Sequence, residues 1–147
     1  MALEQAIGQF HSLFLYFPIV LFTAAFMADF LNYFGKTGAF IAGHWLVIAG
    51  VIFCIPTIIT GLAASASFAS DGYLIEKHRF LGFATGVLGS FYAGLRISSM
   101  LWKLPLKPIH YVFLSVLLVA LVSLTSDYGV LVANGITPSV TFPPPDQ

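Results

Sequence analysis

Residues 38–64 read GAFIAGHWLVIAGVIFCIPTIITGLAA, without a single Asp, Glu, Lys or Arg. An α-helix rising about 1.5 Å per residue needs roughly 20 apolar residues to cross about 30 Å of hydrocarbon. This stretch is therefore long enough to span a bilayer, and too uniformly apolar for a helix with one wet face. Working outward, three further windows meet the same length, at 9–34, 79–102 and 109–132. The breaks between them carry turn chemistry: Gly35-Lys36-Thr37-Gly38, the polar stretch Ser65 to Lys77 with Asp71-Gly72, and Lys103-Leu104-Pro105-Leu106-Lys107-Pro108. Short connections make neighbouring helices antiparallel. The expected fold is all-α: an integral membrane four-helix up-down bundle over 1–134, followed by a short extended Pro-rich tail over 135–147 that ends in Pro143-Pro144-Pro145.

Composition agrees with a lipid environment. Of 147 residues, 59% are hydrophobic and 8% charged, and the six basic and six acidic groups cancel. Soluble domains carry about a quarter charged residues. A neutral chain with no basic run lacks the electrostatic footprint for nucleic acid. The lone cysteine, Cys54, excludes an internal disulfide, a Cys-ligated iron–sulfur cluster and a c-type haem attachment motif. The first apolar segment lacks a basic n-region and a small-residue cleavage site, and it is expected to be retained. Lys36, Arg96, Lys103 and Lys107 flank one side of the bundle and Lys77 and Arg79 the other, a bias that puts both termini outside. Tyr33, Trp45, Trp102 and Tyr111 at one edge, and Tyr16, Phe68, Tyr73 and Tyr128 at the other, read as interface anchors.

The histidines carry the functional question. His11, His44, His78 and His110 lie 33, 34 and 32 residues apart, so each helix receives one near its start. Alternating helix directions then place His11 and His78 at one depth, and His44 and His110 at the other. In an up-down bundle helices 1 and 3 are diagonal, as are 2 and 4, so each pair can face inward across the axis. Two imidazoles on facing helices are what a b-type haem needs. The expectation is haem b at His11 and His78, with a second at His44 and His110. Gly82, Gly86 and Gly89 follow His78 on one face of helix 3 and leave room for a flat macrocycle, while Arg79 and Lys77 can meet propionates. The same residues have a plainer reading, because interface histidines need no metal and Gly82-x-x-x-Gly86 is a helix-packing spacing.

Asp29 and Arg96 are expected at similar depth and, being costly in lipid, to pair. A proton path or a quinone-head contact is their functional alternative. Pro18 and Pro56 interrupt helices 1 and 2, with Thr57 and Thr60 near the freed carbonyls. No nucleophile–base set, no His-Glu-x-x-His and no phosphate-binding loop occurs, which points away from hydrolase and transferase chemistry.

The segment Phe10-His11-Ser12-Leu13-Phe14-Leu15-Tyr16-Phe17-Pro18-Ile19 resembles the first helix of a family of bacterial four-helix membrane proteins of unknown function, whose pattern is His-Pro-x-x-x-His-Phe-Pro. Gly61-Leu62-Ala63-Ala64 and His78-Arg79-Phe80-Leu81-Gly82 resemble that family's end of helix 2 and start of helix 3. Ser12 and Tyr16 stand where the pattern has proline and its second histidine, and Ser126-Asp127-Tyr128-Gly129 stands where helix 4 usually closes on a glycine-rich signature. Some relatives are fused to c-type cytochromes. The resemblance implies a multi-pass protein of the bacterial inner membrane in a setting near c-type cytochromes and membrane electron transport, with no established activity, and the Lys/Arg bias puts its termini on the periplasmic side, among the subunits of a respiratory or photosynthetic-type complex. By residue it carries over His11 and His78. The leading expectation is a cytochrome b-like electron-transfer subunit that is not itself an enzyme, with other membrane subunits, lipid and a c-type cytochrome as partners. The alternative is a haem-free accessory subunit of a larger membrane complex.

Overall fold

The structure is a computed structural model that describes residues 10–65 and 72–134. Four helices account for nearly all of them: α1 His11–Tyr33, α2 Gly38–Ser65, α3 Gly72–Trp102 and α4 Pro108–Ala133. All four are long and apolar enough to cross a membrane. The extended tail expected at 135–147 and the anchor Phe68 lie outside the described residues.

Local chemistry sets the turns. After α1, Gly35 takes φ +86°, a left-handed conformation that L side chains rarely adopt. Its N–H bonds the Asn32 carbonyl and the Lys36 N–H bonds the Leu31 carbonyl, both at 3.0 Å, which completes a Schellman cap. Lys107 is extended, and Pro108, with no N–H to lose, occupies the first helical position of α4. Three of the four expected windows match the helices within two residues. The third does not, because α3 starts at Gly72 rather than near 79. Hydropathy measures the lipid-crossing part, whereas the helix continues beyond it, with Leu74 fully buried and the Lys77 ammonium over the Tyr73 ring.

The helices pack in a ring. α1 touches α2 and α4, α3 touches the same two, and the diagonals α1/α3 and α2/α4 make no close backbone contact. The centre is filled by Phe22, Ala25, Val47, Cys54, Tyr92, Leu118 and Val122. Phe22 is accommodated by missing side chains: a Cβ at Gly50 would lie 2.3 Å from its ring, and one at Gly89 3.2 Å. Glycine at these positions lets α2 and α3 close over the aromatic. Phe80, Val87, Leu101 and Trp102 point outward, as expected of a surface that faces lipid. Tyr111 is not an interface anchor, since it is buried with its hydroxyl donating to Ser99 Oγ at 2.8 Å.

Both prolines are accommodated within continuous helices. Near Pro56, the Thr57 hydroxyl donates to the Phe53 carbonyl and the Thr60 hydroxyl to that of Pro56, each at 2.7 Å. These are the ordinary i−4 bonds of helical threonines, so the carbonyl that Pro56 frees, that of Ile52, is not their acceptor.

Candidate functional site

Two polar centres sit at opposite ends of the bundle. At the end where α1 and α3 begin, His11 and His78 approach across the axis, with ring centroids 6.0 Å apart and ring planes at 86°. Each ring is held by the other helix of its own hairpin. His11 Nδ1–H donates to the Thr57 carbonyl of α2 at 3.0 Å and lies 3.3 Å from Thr60 Oγ1. His78 Nδ1–H donates to the Thr125 carbonyl of α4 at 2.9 Å. A carbonyl can only accept, so the proton is on Nδ1 and the lone pair of each ring is on Nε2. Neither Nε2 has a hydrogen-bond partner among the described residues.

Glycines one turn beyond those carbonyls bring the backbone close to the imidazoles. A Cβ at Gly61 would lie 2.8 Å from His11 Cε1, and one at Gly129 3.0 Å from His78 Cε1. The pattern Thr-x-x-x-Gly therefore occurs twice, as Thr57/Gly61 on α2 and Thr125/Gly129 on α4. This is the signal that a search for glycines on the histidine-bearing helix itself overlooks. Its chemistry is readable: a threonine whose carbonyl accepts, then a glycine at i+4 that admits the ring.

The two histidines share a cavity of about 320 Å³, whose walls include Leu15, Ile58, Gly82 and Val132. That volume lies in the range of small-ligand and cofactor sites. Arg79 also lines it and is exposed. Gly82 is on this wall, with only Thr125 Cγ2 near an added Cβ, at 3.9 Å. Gly86 is not: a Cβ there would meet Ile58 at 3.2 Å, so it serves packing of α3 on α2.

The expected second pair is not assembled. His110 is exposed at the N-terminus of α4, where its Nδ1 accepts the Lys107 N–H at 3.0 Å and closes a capping box. Helix-end donors need partners, and this one takes His110 out of the interior. His44 is buried beside Trp45, at 5.3 Å between centroids, and its Nδ1 has no hydrogen-bond partner among the described residues. With only one of the two inside, His44 and His110 do not form a facing pair among the described residues.

What fills that end is an ion pair. Asp29 of α1 and Arg96 of α3 are both fully buried and bonded to each other. Arg96 Nη1 donates to the Phe40 carbonyl at 3.2 Å and Nη2 to the Tyr92 hydroxyl at 2.9 Å, while Tyr92 donates to Asp29 Oδ2 at 2.5 Å. The guanidinium lies 5.0–5.5 Å from the rings of Phe40, Tyr92 and Tyr111. Gly43 leaves it room, for a Cβ there would be 2.9 Å from Nη2. The pairing expected from charge cost in lipid is thus present, and it locks the diagonal helices at the end opposite the histidines.

Among the described residues no group of three or more His, Cys, Asp or Glu is placed to hold a metal ion. The two-histidine centre is the candidate site. No curated protein and no solved structure matches the chain. Residues 9–137 match the model of a family described as "Predicted membrane protein (DUF2231)", and the chain, a multi-pass membrane protein with four membrane-crossing helices among its described residues, belongs to that family.

Proposed function

We propose that the chain is a cytochrome b-like subunit of a membrane electron-transport assembly, holding one b-type haem between His11 and His78. The observation that carries this reading is the imidazole pair itself. Two Nε2 atoms facing one another in line across a single metal, at about 2.0 Å each and about 1.1 Å from nitrogen to ring centre, would set the centroids roughly 6.2 Å apart. Here they are 6.0 Å apart, with both Nδ1 atoms tied to backbone carbonyls. That hydrogen bond is the usual outer partner of a metal-bound histidine and leaves Nε2 as the ligand.

The surroundings fit a macrocycle. The walls are mainly apolar, Gly82 leaves the α3 wall clear, with only Thr125 Cγ2 near an added Cβ at 3.9 Å, and Arg79 at the rim supplies a cation for propionate groups. When bound, haem supplies a one-electron redox centre. The chain's own part is to orient the imidazoles, keep water from the metal faces and hold the centre at a fixed depth. The positive-inside bias favours a bacterial inner membrane orientation with the His11/His78 end toward the periplasm, where a c-type cytochrome is an accessible partner and neighbouring respiratory or photosynthetic-type subunits complete the path.

The test is optical. Purified full-length chain supplied with haem should show a Soret band, a reduced-minus-oxidised b-type difference spectrum and a pyridine haemochrome close to one haem per chain. His11→Ala and His78→Ala should each abolish the six-coordinate spectrum, and His44→Ala and His110→Ala should keep it. A stoichiometry near zero would refute the reading in favour of a haem-free accessory subunit.

A further inference from the structure

The two hairpins, α1–α2 and α3–α4, repeat one arrangement. His11 and His78 lie 67 residues apart, Thr57 and Thr125 68, Gly61 and Gly129 68, and Asp29 and Arg96 67. Each hairpin supplies an imidazole from its first helix and, from its second, a carbonyl acceptor with a glycine one turn later. The imidazoles meet on the axis between the halves.

Each ring is therefore held at two points. Its Nδ1 is bonded to a carbonyl, and its Cε1 edge rests where a side chain would otherwise stand. Two points on a planar ring set its rotation about the Cβ–Cγ bond. With the scaffolds on different helices, the planes come to 86°, within a few degrees of the maximum possible.

We propose that Thr57 with Gly61, and Thr125 with Gly129, are positioning residues that hold the His11 and His78 ring planes at right angles, making a ferric haem between them a strongly anisotropic low-spin centre. The inference rests on reading the pair as axial ligands. Its physics is orbital. An imidazole π orbital, perpendicular to its ring, mixes with one of the two iron d orbitals that point out of the macrocycle plane. Parallel rings address the same orbital and split the pair. Perpendicular rings address one each, leaving the two nearly degenerate and the orbital moment largely unquenched. Outer-shell partners that fix ring orientation tune the metal in this way.

Electron paramagnetic resonance of the oxidised, haem-loaded full chain reads the angle directly. The expected spectrum is a single low-field feature with a large maximum g, without the resolved three-line pattern of near-parallel rings. Because 86° is close to the limit, any rotation of one ring can only reduce the angle. Gly61→Ala, whose Cβ would be 2.8 Å from His11 Cε1, and Gly129→Ala, 3.0 Å from His78 Cε1, should each move the signal toward the three-line pattern. Gly94→Ala, whose Cβ meets nothing within 4 Å, should leave it unchanged. Thr60→Val, which removes the neighbour 3.3 Å from His11 Nδ1 with little change in bulk, should give a smaller move in the same direction and remains informative where a glycine variant does not fold. A wild-type chain that binds haem yet gives the three-line spectrum overturns the inference and leaves the axial pair standing. Unchanged spectra in both glycine variants overturn the positioning role. A chain that binds no haem overturns the axial pair itself.

Discussion

The Asp29–Arg96 pair offers a double-mutant cycle with a firm expectation. Both side chains are fully buried and meet across the diagonal of the bundle, with Tyr92 and the Phe40 carbonyl completing the hydrogen bonds. Removing one partner leaves the other charge without compensation, a loss of about 3–5 kcal/mol for buried pairs. Asp29→Asn leaves the guanidinium without a counter-charge, against three aromatic faces, the Phe40 carbonyl and the Tyr92 hydroxyl, and Arg96→Met strands the carboxylate on one hydroxyl. Replacing both removes charge from each side, and such apolar substitutions of buried pairs are often close to neutral. The double variant should therefore be more stable than the sum of the single losses by roughly 2 kcal/mol or more. The assay is equilibrium unfolding in mixed micelles, titrating denaturing detergent and following far-UV circular dichroism. By thermal melting the single variants should fall by roughly 12–20 °C, taking about 4 °C per kcal/mol for a chain of this size. Additive losses in the double variant, or single losses below about 1 kcal/mol, would refute the idea that this pair ties α1 to α3.

Other expectations follow from the glycine and cap positions. Gly50→Ala places a Cβ 2.3 Å from Phe22 Cε1, so it should destabilise by about 1–3 kcal/mol through overpacking, and Phe22→Leu in the same chain should recover part of that in the same unfolding assay. Gly35→Ala, at φ +86°, should lose about 1 kcal/mol because the Schellman cap requires a left-handed residue there. His110→Ala should lose about 1 kcal/mol through the α4 cap and leave any haem spectrum intact, whereas a lost spectrum would return His110 to the ligand set.

The histidines show how far a sequence argument reaches. Their spacing and the short loops were enough to pair His11 with His78, because alternation and ring order leave little freedom in an up-down bundle. The same argument applied to His44 and His110 failed. His110 sits two residues into α4 beside an extended Lys107, and the cap took its Nδ1. The glycine stripe on α3 divided for a similar reason, since Gly82 faces the cavity while Gly86 meets Ile58. Neither outcome is encoded in period alone.

The sequence by itself determined the four spans, their alternation and the burial of Asp29 and Arg96. Each follows from local partition between lipid and water, which depends on length and polarity and hardly on neighbours. Only the tertiary structure decided which carbonyl and which glycine meet each imidazole. Rotation of a helix about its own axis is set by the interlocking of side chains across the bundle. Phe22 between Gly50 and Gly89, and Arg96 over Gly43, fix that rotation, and with it the carbonyl and the glycine that each imidazole meets.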